Sequence, residues 1–445
     1  MTIFKAYDIR GTVPDQIDPS LARKIGQAFV TLTRARSIAV GRDMRVSSPG
    51  LSEALIAGAR EAGAHVLDVG MVSTPMLNFA VAHHRLDGGI QVTASHNPGA
   101  YNGFKLCGPG AAPISYDTGI GDVERWVAGQ AAGFRLAATP GGYEKRELFD
   151  EYSRFLKAQV RLGDRHLKLV ADTANGVTGV REFLILEDLY PDIEGMYLEP
   201  DGNFPNHEAN PLIPENIRPL QDHVLASKAD LGIAFDGDGD RVAFVDEHGA
   251  AVSGDLVTAL IAASELARHP GATVLYDLRS SRAVKEEIER LGGVAKKCRV
   301  GHSFIKQMMR QHDAVLAGEL SGHFYFKDNF FLDSGIFAAL RVLEILSTSE
   351  KPMSELVAPL DRYHRSGEIN FHVKDQDAVL ARVKSVFESS GEMSHLDGLS
   401  VDFDDWWFNL RKSNTEPLLR INLEATTAEL MRSKLQELQA LLAEG

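Results

Sequence analysis

A pattern of strand, loop, helix and strand occurs three times along this chain, and it constrains the fold more than any other feature. In the first copy the strand, helix and second strand are predicted at residues 37–40, 51–61 and 66–69. In the second copy the leading strand is predicted at residues 167–171, and in the third copy the three elements are predicted at residues 273–276, 282–291 and 294–297. The loops after the leading strands read GRDMR, DTANG and DLRSS. Strands that alternate with helices at this spacing form βαβ units, so the pattern predicts three related α/β domains with parallel or mixed sheets. Because the copies share little sequence, one large three-layer domain is the alternative.

The C-terminal part of the chain has a different pattern. The segments EINFHV, LSVDF, WWFNLR and LLRINLEA alternate in polarity and are rich in aromatic residues, which indicates strands, and an amphipathic helix is predicted over residues 427–442. This pattern is typical of an α+β domain. Turns and Gly/Pro-containing stretches then divide the chain into four predicted domains, at residues 1–142, 143–249, 250–362 and 363–445.

Composition is that of a large globular protein and excludes several functional classes. The 445 residues contain 47 basic and 61 acidic side chains, and the formal charge of −14 argues against binding to nucleic acid or to an anionic membrane. No apolar run approaches the roughly 18 residues of a spanning helix, and the first residues lack the plan of a signal peptide. Cys107 and Cys298 are too few for a disulfide framework or a cysteine metal site. We therefore expect a cytoplasmic protein in a reducing compartment.

The segment DGDGDR at residues 236–241 is a candidate metal loop between two predicted strands. Asp236, Asp238 and Asp240 would alternate faces on a flat strand, but the intervening glycines let the backbone curl so that three carboxylates converge on one hard cation such as magnesium. A calcium EF-hand is the competing interpretation. Arg241 stands where that motif requires glycine, and the flanking segments are predicted strands rather than helices, so the EF-hand is disfavoured. A solvated acidic turn is the alternative without a metal.

The segment TASHNP delivers Ser95 from a predicted strand into a turn set by Asn97 and Pro98. Its hydroxyl is a candidate nucleophile or phosphate carrier, although the same letters also describe an ordinary turn. The nearby Lys105 offers a cation beside the hydroxyl, and this strengthens the functional interpretation.

Two further polar loops are candidates for substrate binding. GELSGH at residues 318–323 suits sugar hydroxyls, and RKSNTEP at residues 411–417 offers the charged and neutral donors that suit a phosphate dianion. A capped turn and a polar hairpin loop are their alternatives. The sequence contains no G-x-x-x-x-G-K-[ST], no G-x-G-x-x-G and no H-E-x-x-H. It therefore lacks the usual motifs of nucleotide-dependent kinases, dinucleotide oxidoreductases and zinc proteases.

Together with KAYDIRG at residues 5–11, these four motifs stand in the order found in the α-D-phosphohexomutase superfamily, and the chain most closely resembles the bacterial phosphomannomutase/phosphoglucomutase group. The resemblance covers essentially the whole chain. It implies a heart-shaped monomer or homodimer, in which three related α/β domains with mixed sheets and a C-terminal α+β domain surround a central cleft.

The same resemblance implies the chemistry of that cleft. Ser95 is expected to be a phosphoserine, and Mg²⁺ is expected to be held by Asp236, Asp238, Asp240 and an oxygen of the Ser95 phosphate. The further catalytic residues implied are Arg10, His96, Lys105, Arg241 and His323. The implied substrate contacts are Tyr7, Arg279, Arg299, His302, Glu319, Ser321, Arg411, Ser413, Asn414 and Thr415. Within this set Glu319 and Ser321 would bind sugar hydroxyls, while residues 411–415 would bind the phosphate that is not reacting.

The expected reaction is the reversible conversion of mannose 6-phosphate and mannose 1-phosphate through a hexose 1,6-bisphosphate. Glucose 1,6-bisphosphate or mannose 1,6-bisphosphate would serve as activator. YDIRG and Asn414 depart from the pattern of phosphoglucosamine mutases and disfavour that branch. A dual-specificity or glucose-preferring phosphoglucomutase is the alternative. A hydrolase with the same metal and serine chemistry, and a non-catalytic sugar-phosphate binding protein, are the remaining hypotheses.

Overall fold

The computed structural model describes residues 2–129, 137–388, 390–412 and 418–443, and these residues form four units, each built on its own sheet. The first three sheets mix parallel and antiparallel pairs, whereas the fourth is antiparallel throughout. The predicted fold class is therefore confirmed, and the single three-layer domain is excluded. The exact domain boundaries stay a prediction.

The first unit is a six-stranded sheet with helices. Its elements are β1 (Ile9–Thr12), α1 (Pro19–Thr33), β2 (Ser37–Arg42), α2 (Ser48–Glu61), β3 (His65–Met71), α3 (Thr74–His83), β4 (Gly88–Val92), β5 (Tyr101–Cys107), α4 (Gly121–Val127) and β6 (Tyr143–Lys145). The strand order is β1-β5-β4-β2-β3-β6. Helix α1 starts where the sequence supplies both an N-cap and a proline: the Asp18 side chain accepts a hydrogen bond from the Leu21 amide, and Pro19 follows it. Strand β4 is buried along its length and delivers the TASHNP turn.

The second unit carries the acidic loop between two antiparallel strands. Its elements are α5 (Phe149–Ala158), β7 (Leu169–Asp172), α6 (Glu182–Leu189), β8 (Glu194–Met196), α7 (Pro214–Ser227), β9 (Leu231–Phe235), β10 (Val242–Asp246) and β11 (Ala251–Val252). The strand order is β11-β10-β9-β7-β8. Because β9 and β10 pair from Phe235 and Val242 outward, DGDGDR is the connection that reverses the chain.

The third unit repeats the plan. Its elements are α8 (Gly254–Arg268), β12 (Thr273–Asp277), α9 (Arg282–Arg290), β13 (Val294–Cys298), α10 (His302–His312), β14 (Leu316–Gly318), β15 (Phe324–Phe326), β16 (Leu332–Asp333), α11 (Gly335–Ser347) and α12 (Met353–Val357). The strand order is β13-β12-β14-β15-β16. The GELSGH loop connects β14 to β15, which pair antiparallel.

The fourth unit is the predicted α+β domain. Its elements are β17 (His364–Phe371), α13 (Gln376–Phe387), β18 (Glu392–Ser394), β19 (Leu399–Asp402), β20 (Trp406–Lys412), β21 (Leu419–Ala425) and α14 (Ala428–Ala443). The strand order is β17-β21-β20-β19-β18. Each strand predicted for this region has its counterpart in the sheet.

The hydrophobic cores divide the molecule unevenly. One continuous cluster of buried side chains runs from Ala39 in the first unit to Leu360 at the end of the third. The fourth unit has a separate core, which includes Val383, Phe408 and Leu438. The first three units are therefore packed as one body and the fourth as another. Among the described residues, no helix is long and apolar enough to cross a membrane.

Candidate active site

Ser95 lies in the turn after β4, with its hydroxyl directed at the acidic loop of the second unit. Its Oγ donates a hydrogen bond to Asp236 Oδ2 at 2.8 Å and lies 3.2 Å from His96 Nδ1. Its backbone amide donates to Thr93 Oγ1 at 2.9 Å, and its φ is +50°, a left-handed conformation that is uncommon outside glycine. The structure thus brings the candidate phosphate carrier and the candidate metal ligands together.

The acidic loop forms a compact and buried cluster. One carboxylate oxygen from each of Asp236, Asp238 and Asp240 lies within 4.8 Å of the others. The loop approaches the Ser95 turn so closely that a Cβ at Gly237 would stand 2.6 Å from the Ser95 carbonyl oxygen. Gly239 has φ +75°, which favours glycine. These glycines let the loop curl so that the three carboxylates converge, as the sequence predicted.

The charges in this cluster are strongly coupled. Burial and the two neighbouring carboxylates raise the pKa of Asp236 well above its ordinary value. Burial alone would also raise the pKa of Asp240, but Lys105 and His323 hold it well below its usual range. Lys105 Nζ lies 2.7 Å from Asp238 Oδ2 and 2.5 Å from Asp240 Oδ2. These carboxylates raise the Lys105 pKa against the effect of burial, so its amine carries a positive charge.

The donor set fits a hard divalent cation. Within the described residues, the buried atoms Asp238 Oδ1 and Asp240 Oδ1 accept no hydrogen bond, and buried acceptors of this kind need a partner. Asp236, Asp238, Asp240 and Ser95 offer only oxygen ligands, which suits Mg²⁺. The EF-hand is excluded because strands flank the loop on both sides.

A histidine from the third unit reaches the same cluster. Arg241 Nε donates to His323 Nε2 at 3.3 Å, so the proton of a neutral His323 ring lies on Nδ1, 2.9 Å from Ser321 Oγ. His323 Nε2 is also 3.5 Å from Asp240 Oδ1. A backbone bridge between Arg241 and His323 joins the two units at this point. The metal loop and the sugar loop are therefore one connected structure.

The sugar loop is held by residues that the sequence analysis did not identify. Glu319 accepts hydrogen bonds from the Gly301 amide at 3.1 Å and from the Tyr325 hydroxyl at 2.5 Å. Asp277 accepts from the Leu320 amide at 2.9 Å and pairs with Arg279 at 2.6 Å. Asp277 stands two residues before Arg279 in the DLRSS segment, and this spacing was the available signal. Nothing in the sequence pointed to Tyr325.

The phosphate loop can be described only up to its first residues. Arg411 donates to Glu368 Oε2 at 2.8 Å, and Arg420 and Arg279 lie 3.1 and 3.5 Å from the same carboxylate. Burial alone would raise the pKa of Glu368, but Arg279 and Arg411 lower it. Neither Glu368 nor Arg420 belongs to a motif that the sequence makes recognisable.

The predicted residues Ser413, Asn414 and Thr415 lie outside the described residues.

A cleft with a volume of about 790 Å³ lies between the four units. The predicted residues among its walls are Tyr7, Arg10, Ser95, His96, Lys105, Asp240, Arg241, Arg279, His302, Glu319, Ser321, His323 and Arg411. Asp236 and Asp238 lie deeper, beneath Ser95. Among the described residues, Arg299 is the predicted substrate contact that does not line the cleft, and its guanidinium stacks on the Phe304 ring at 3.8 Å instead.

Electrostatics distinguish the cleft residues further. Burial, followed by the Arg241 charge, lowers the pKa of His96 well below its ordinary value. Burial, followed by the Lys306 charge, likewise lowers the pKa of His302 well below its ordinary value. Burial raises the pKa of Tyr7 to about 12. Both imidazoles are therefore neutral near pH 7, and the Tyr7 phenol keeps its proton. The positive charge of the cleft is carried by its arginines, by Lys5 and by Lys105.

Family models match four successive segments of the chain. They are described as phosphoglucomutase/phosphomannomutase α/β/α domains I, II and III and the C-terminal domain, and they match residues 1–127, 150–249, 253–363 and 368–440. The order of these matches follows the order of the four sheets along the chain.

Full-length relatives agree with the family models. A protein of Xanthomonas campestris pv. campestris named "Phosphohexose mutases" is 41% identical over 444 residues, which cover 99% of this chain and 98% of that protein. A phosphomannomutase of Salmonella montevideo is 40% identical over 452 residues, with 99% of each covered. The crystal structure of a phosphoglucomutase/phosphomannomutase family protein from Burkholderia thailandensis superposes with a TM-score of 0.91 at 35% identity, covering 99% of this chain and 98% of that one. The chain therefore belongs to the phosphoglucomutase/phosphomannomutase family, whose members are phosphohexomutases of the isomerase class.

Proposed function

We propose that this enzyme is a phosphomannomutase that converts mannose 6-phosphate and mannose 1-phosphate reversibly through a hexose 1,6-bisphosphate. The observation that carries the proposal is the position of Ser95. Its Oγ lies 2.8 Å from Asp236 Oδ2 on the floor of a cleft whose other walls hold Glu319 and Arg411. A phosphate carrier, a hydroxyl-binding loop and an anion-binding arginine thus face one space.

Phosphoryl transfer between Ser95 and a sugar requires positioning and charge stabilisation more than covalent chemistry by the protein. Asp236, Asp238 and Asp240 would hold Mg²⁺ together with an oxygen of the Ser95 phosphate. When bound, the metal supplies positive charge that offsets the phosphate. Lys105 and Arg241 add fixed positive charge at the same place. In the free enzyme Asp236 Oδ2 accepts the Ser95 proton in a hydrogen bond, which orients the oxygen that receives phosphate.

The substrate is held from its far end while the near end reacts. In the first transfer the bond between Ser95 Oγ and phosphorus breaks as a sugar hydroxyl oxygen bonds to phosphorus, and that hydroxyl loses its proton. Ser95 Oγ gains a proton as it leaves phosphorus, so one proton passes from the sugar hydroxyl to the serine. The bisphosphate then turns, the bond between its other ester oxygen and phosphorus breaks, and Ser95 Oγ bonds to that phosphorus while its proton passes to the released sugar oxygen. Glu319 and Ser321 would bind sugar hydroxyls in both poses, while Arg411 with Ser413, Asn414 and Thr415 would bind the phosphate that is not reacting. His323 and Lys105 are the candidate proton-transfer groups, and the charge on Lys105 favours a stabilising role for it.

Dual specificity is the second candidate. Mannose and glucose differ at C2 alone, and Glu319 and Ser321 are expected to bind other hydroxyls. The Xanthomonas relative, which carries the plural name "Phosphohexose mutases", also favours this candidate.

Phosphorus NMR tests both candidates in one sample. The enzyme is supplied with Mg²⁺, a trace of glucose 1,6-bisphosphate as activator, and equal mannose 1-phosphate and glucose 1-phosphate. Conversion of the mannose ester alone supports the phosphomannomutase, and comparable conversion of both supports dual specificity. Loss of the glucose ester alone would identify a phosphoglucomutase. Inorganic phosphate appearing faster than the 6-phosphates would identify a hydrolase.

The role of Ser95 is tested with a matched pair of variants. Ser95→Ala is expected to lower turnover by about 10³-fold or more, because it removes the phosphate carrier. Ser385→Ala, at an exposed position on α13, is expected to keep wild-type turnover. If Ser95→Ala retains full activity with a wild-type NMR time course, Ser95 is not the carrier.

A further inference from the structure

Arg45 is a fully buried arginine beneath the Ser95 turn, in the GRDMR loop after β2. Its guanidinium donates to four backbone carbonyl oxygens of that turn. Nη1 bonds the carbonyls of Pro98 at 2.8 Å and Tyr101 at 2.9 Å, and Nη2 bonds those of Ser95 at 2.8 Å and Asn97 at 2.5 Å. The side chain therefore spans the turn from its first residue to its last.

The fifth donor of the guanidinium is also used. Arg45 Nε donates to Asp43 Oδ2 at 3.1 Å, and both side chains are completely shielded from solvent. The other oxygen of Asp43 accepts from Ser48 Oγ at 2.5 Å and from the Arg45 amide at 3.0 Å. Because an arginine has five N–H donors, every donor of Arg45 has a partner. Asp43 supplies the neutralising charge and sets the plane of the guanidinium.

The second unit covers Arg45 from the opposite side. A Cβ at Gly202 would stand 2.5 Å from the Arg45 Cα, so only glycine allows this approach. The Phe204 ring lies under the guanidinium, with 5.2 Å between Arg45 Cζ and the ring centroid. A Cβ at Gly99 would likewise stand 2.5 Å from the Gly202 carbonyl oxygen. Arg45 is thus enclosed between the Ser95 turn and residues 202–204.

We infer that Arg45 is a positioning residue for phosphoryl transfer, one that holds the Ser95 turn in the geometry that places Ser95 Oγ against Asp236. Ser95 has φ +50°, a conformation that a serine does not adopt without support from its surroundings. The bonds from Arg45 to the Ser95 and Asn97 carbonyls supply that support on both sides of His96. Arg45 does not line the cleft, so it acts on the reaction through Ser95. The inference rests on the proposed role of Ser95 as phosphate carrier.

Lysine tests this role because it keeps the charge and loses the geometry. An ammonium group has three donors and no planar fork, so Arg45→Lys satisfies Asp43 but leaves carbonyls of the turn without a partner. The matched control is Arg341→Lys. Arg341 is equally buried, pairs with Glu265 at 2.8 Å, and lies in α11 away from the cleft.

The experiment measures kcat and KM for mannose 1-phosphate in wild type, Arg45→Lys and Arg341→Lys. It also measures amide hydrogen exchange over residues 95–101. For Arg45→Lys we expect kcat to fall at least tenfold with KM within twofold of wild type, and exchange in the turn to accelerate at least tenfold. Arg341→Lys is expected to keep wild-type kcat and wild-type exchange in the turn. Phe204→Leu, which removes the ring and none of the hydrogen bonds, is expected to lower kcat less than Arg45→Lys and also to leave KM unchanged.

Several outcomes would overturn the inference. Equal kcat losses in Arg45→Lys and Arg341→Lys would make Arg45 a general structural residue. A rise in KM without a change in kcat would place its effect on substrate binding. If Arg45→Lys does not fold, a Phe204→Leu enzyme with wild-type kcat and wild-type exchange would overturn the inference. If wild type itself has no mutase activity, the proposed function fails, and the exchange measurement alone then decides whether Arg45 holds the turn.

Discussion

Replacing Glu182 with glutamine should make this protein more stable at alkaline pH than the wild type, because Glu182 is a buried carboxyl group behind the metal loop. It begins α6, is completely buried, and its Oε1 accepts a hydrogen bond from the Ser73 hydroxyl. Its Oε2 has no hydrogen-bond partner among the described residues. Ser73 also caps α3, whose Thr74 hydroxyl donates to Asp238. Burial raises the pKa of Glu182 from an ordinary 4.5 to about 7, against the effect of Ser73.

The size and sign of the effect follow from this difference in pKa. Each pKa unit corresponds to about 1.36 kcal/mol, so the displacement is worth on the order of 3 kcal/mol. Below pH 4.5 the carboxyl group is protonated in the folded and unfolded states alike, and it costs nothing. Between pH 4.5 and 7 the Glu182 carboxyl group ionises in the unfolded chain but stays protonated in the folded one, so the free energy of unfolding falls. Above pH 7 the loss is complete. Glutamine keeps the acceptor for Ser73 and has no such dependence.

Urea unfolding followed by circular dichroism at pH 5 and pH 8 measures this directly. The stability of Glu182→Gln relative to wild type is expected to rise by about 2.5 kcal/mol between the two pH values, because roughly 0.8 kcal/mol of the loss has already occurred at pH 5. Glu187→Gln, at an exposed position on the same helix, is the control and is expected to differ from wild type by less than about 0.5 kcal/mol at both. If Glu182→Gln shows the same difference from wild type at pH 5 and pH 8, Glu182 does not titrate between them and the argument from burial is wrong.

Three further predictions concern the cleft. Asp240→Asn should raise the Mg²⁺ concentration needed for half-maximal activity by about tenfold or more, because it removes one of three anionic ligands, and an unchanged Mg²⁺ titration would exclude Asp240 as a ligand. Glu368→Gln should lower the inhibition constant of inorganic phosphate by about fivefold, because it removes the carboxylate that competes with a bound phosphate for Arg411. Weaker inhibition by phosphate would contradict this. Tyr325→Phe should lower kcat/KM by about two- to tenfold through loss of the hydroxyl that orients Glu319, whereas an unchanged kcat/KM would show that Glu319 is held by other groups.

The parts of this molecule that could be predicted from sequence are those whose physics is local. The acidic loop carries its own geometry, because Gly237 and Gly239 lie between the carboxylates that they bring together. The strands and helices likewise follow from short-range periodicity. Arg45 could not be found in this way, since its role depends on contacts between segments that only the fold brings together. Tyr325 lies only six residues beyond Glu319, but the hydrogen bond between them depends on how β14 and β15 pair. Arg45 reaches carbonyls about fifty residues further along the chain.

The contacts of long side chains were equally beyond local reasoning. The family resemblance implies that Arg299 contacts substrate, and this stays a prediction; the structure places its guanidinium on the Phe304 ring, five residues further along. A side chain with several rotatable bonds takes its direction from neighbours that a one-dimensional pattern does not reveal. Glu368 illustrates the same limit, because its pairing with Arg279 joins the third unit to the fourth.

The separate core of the fourth unit has a consequence for how such an enzyme can diversify. Substitutions that repack Val383, Phe408 or Leu438 are not transmitted by apolar contact to the core that supports Ser95 and the acidic loop. The buried apolar positions of the fourth unit can therefore change in sequence without a compensating change in the core around the phosphoryl-transfer residues, whereas Glu368 remains coupled to the third unit through Arg279. New substrate preferences can arise in one half of the cleft while the chemistry of the other half is inherited unaltered.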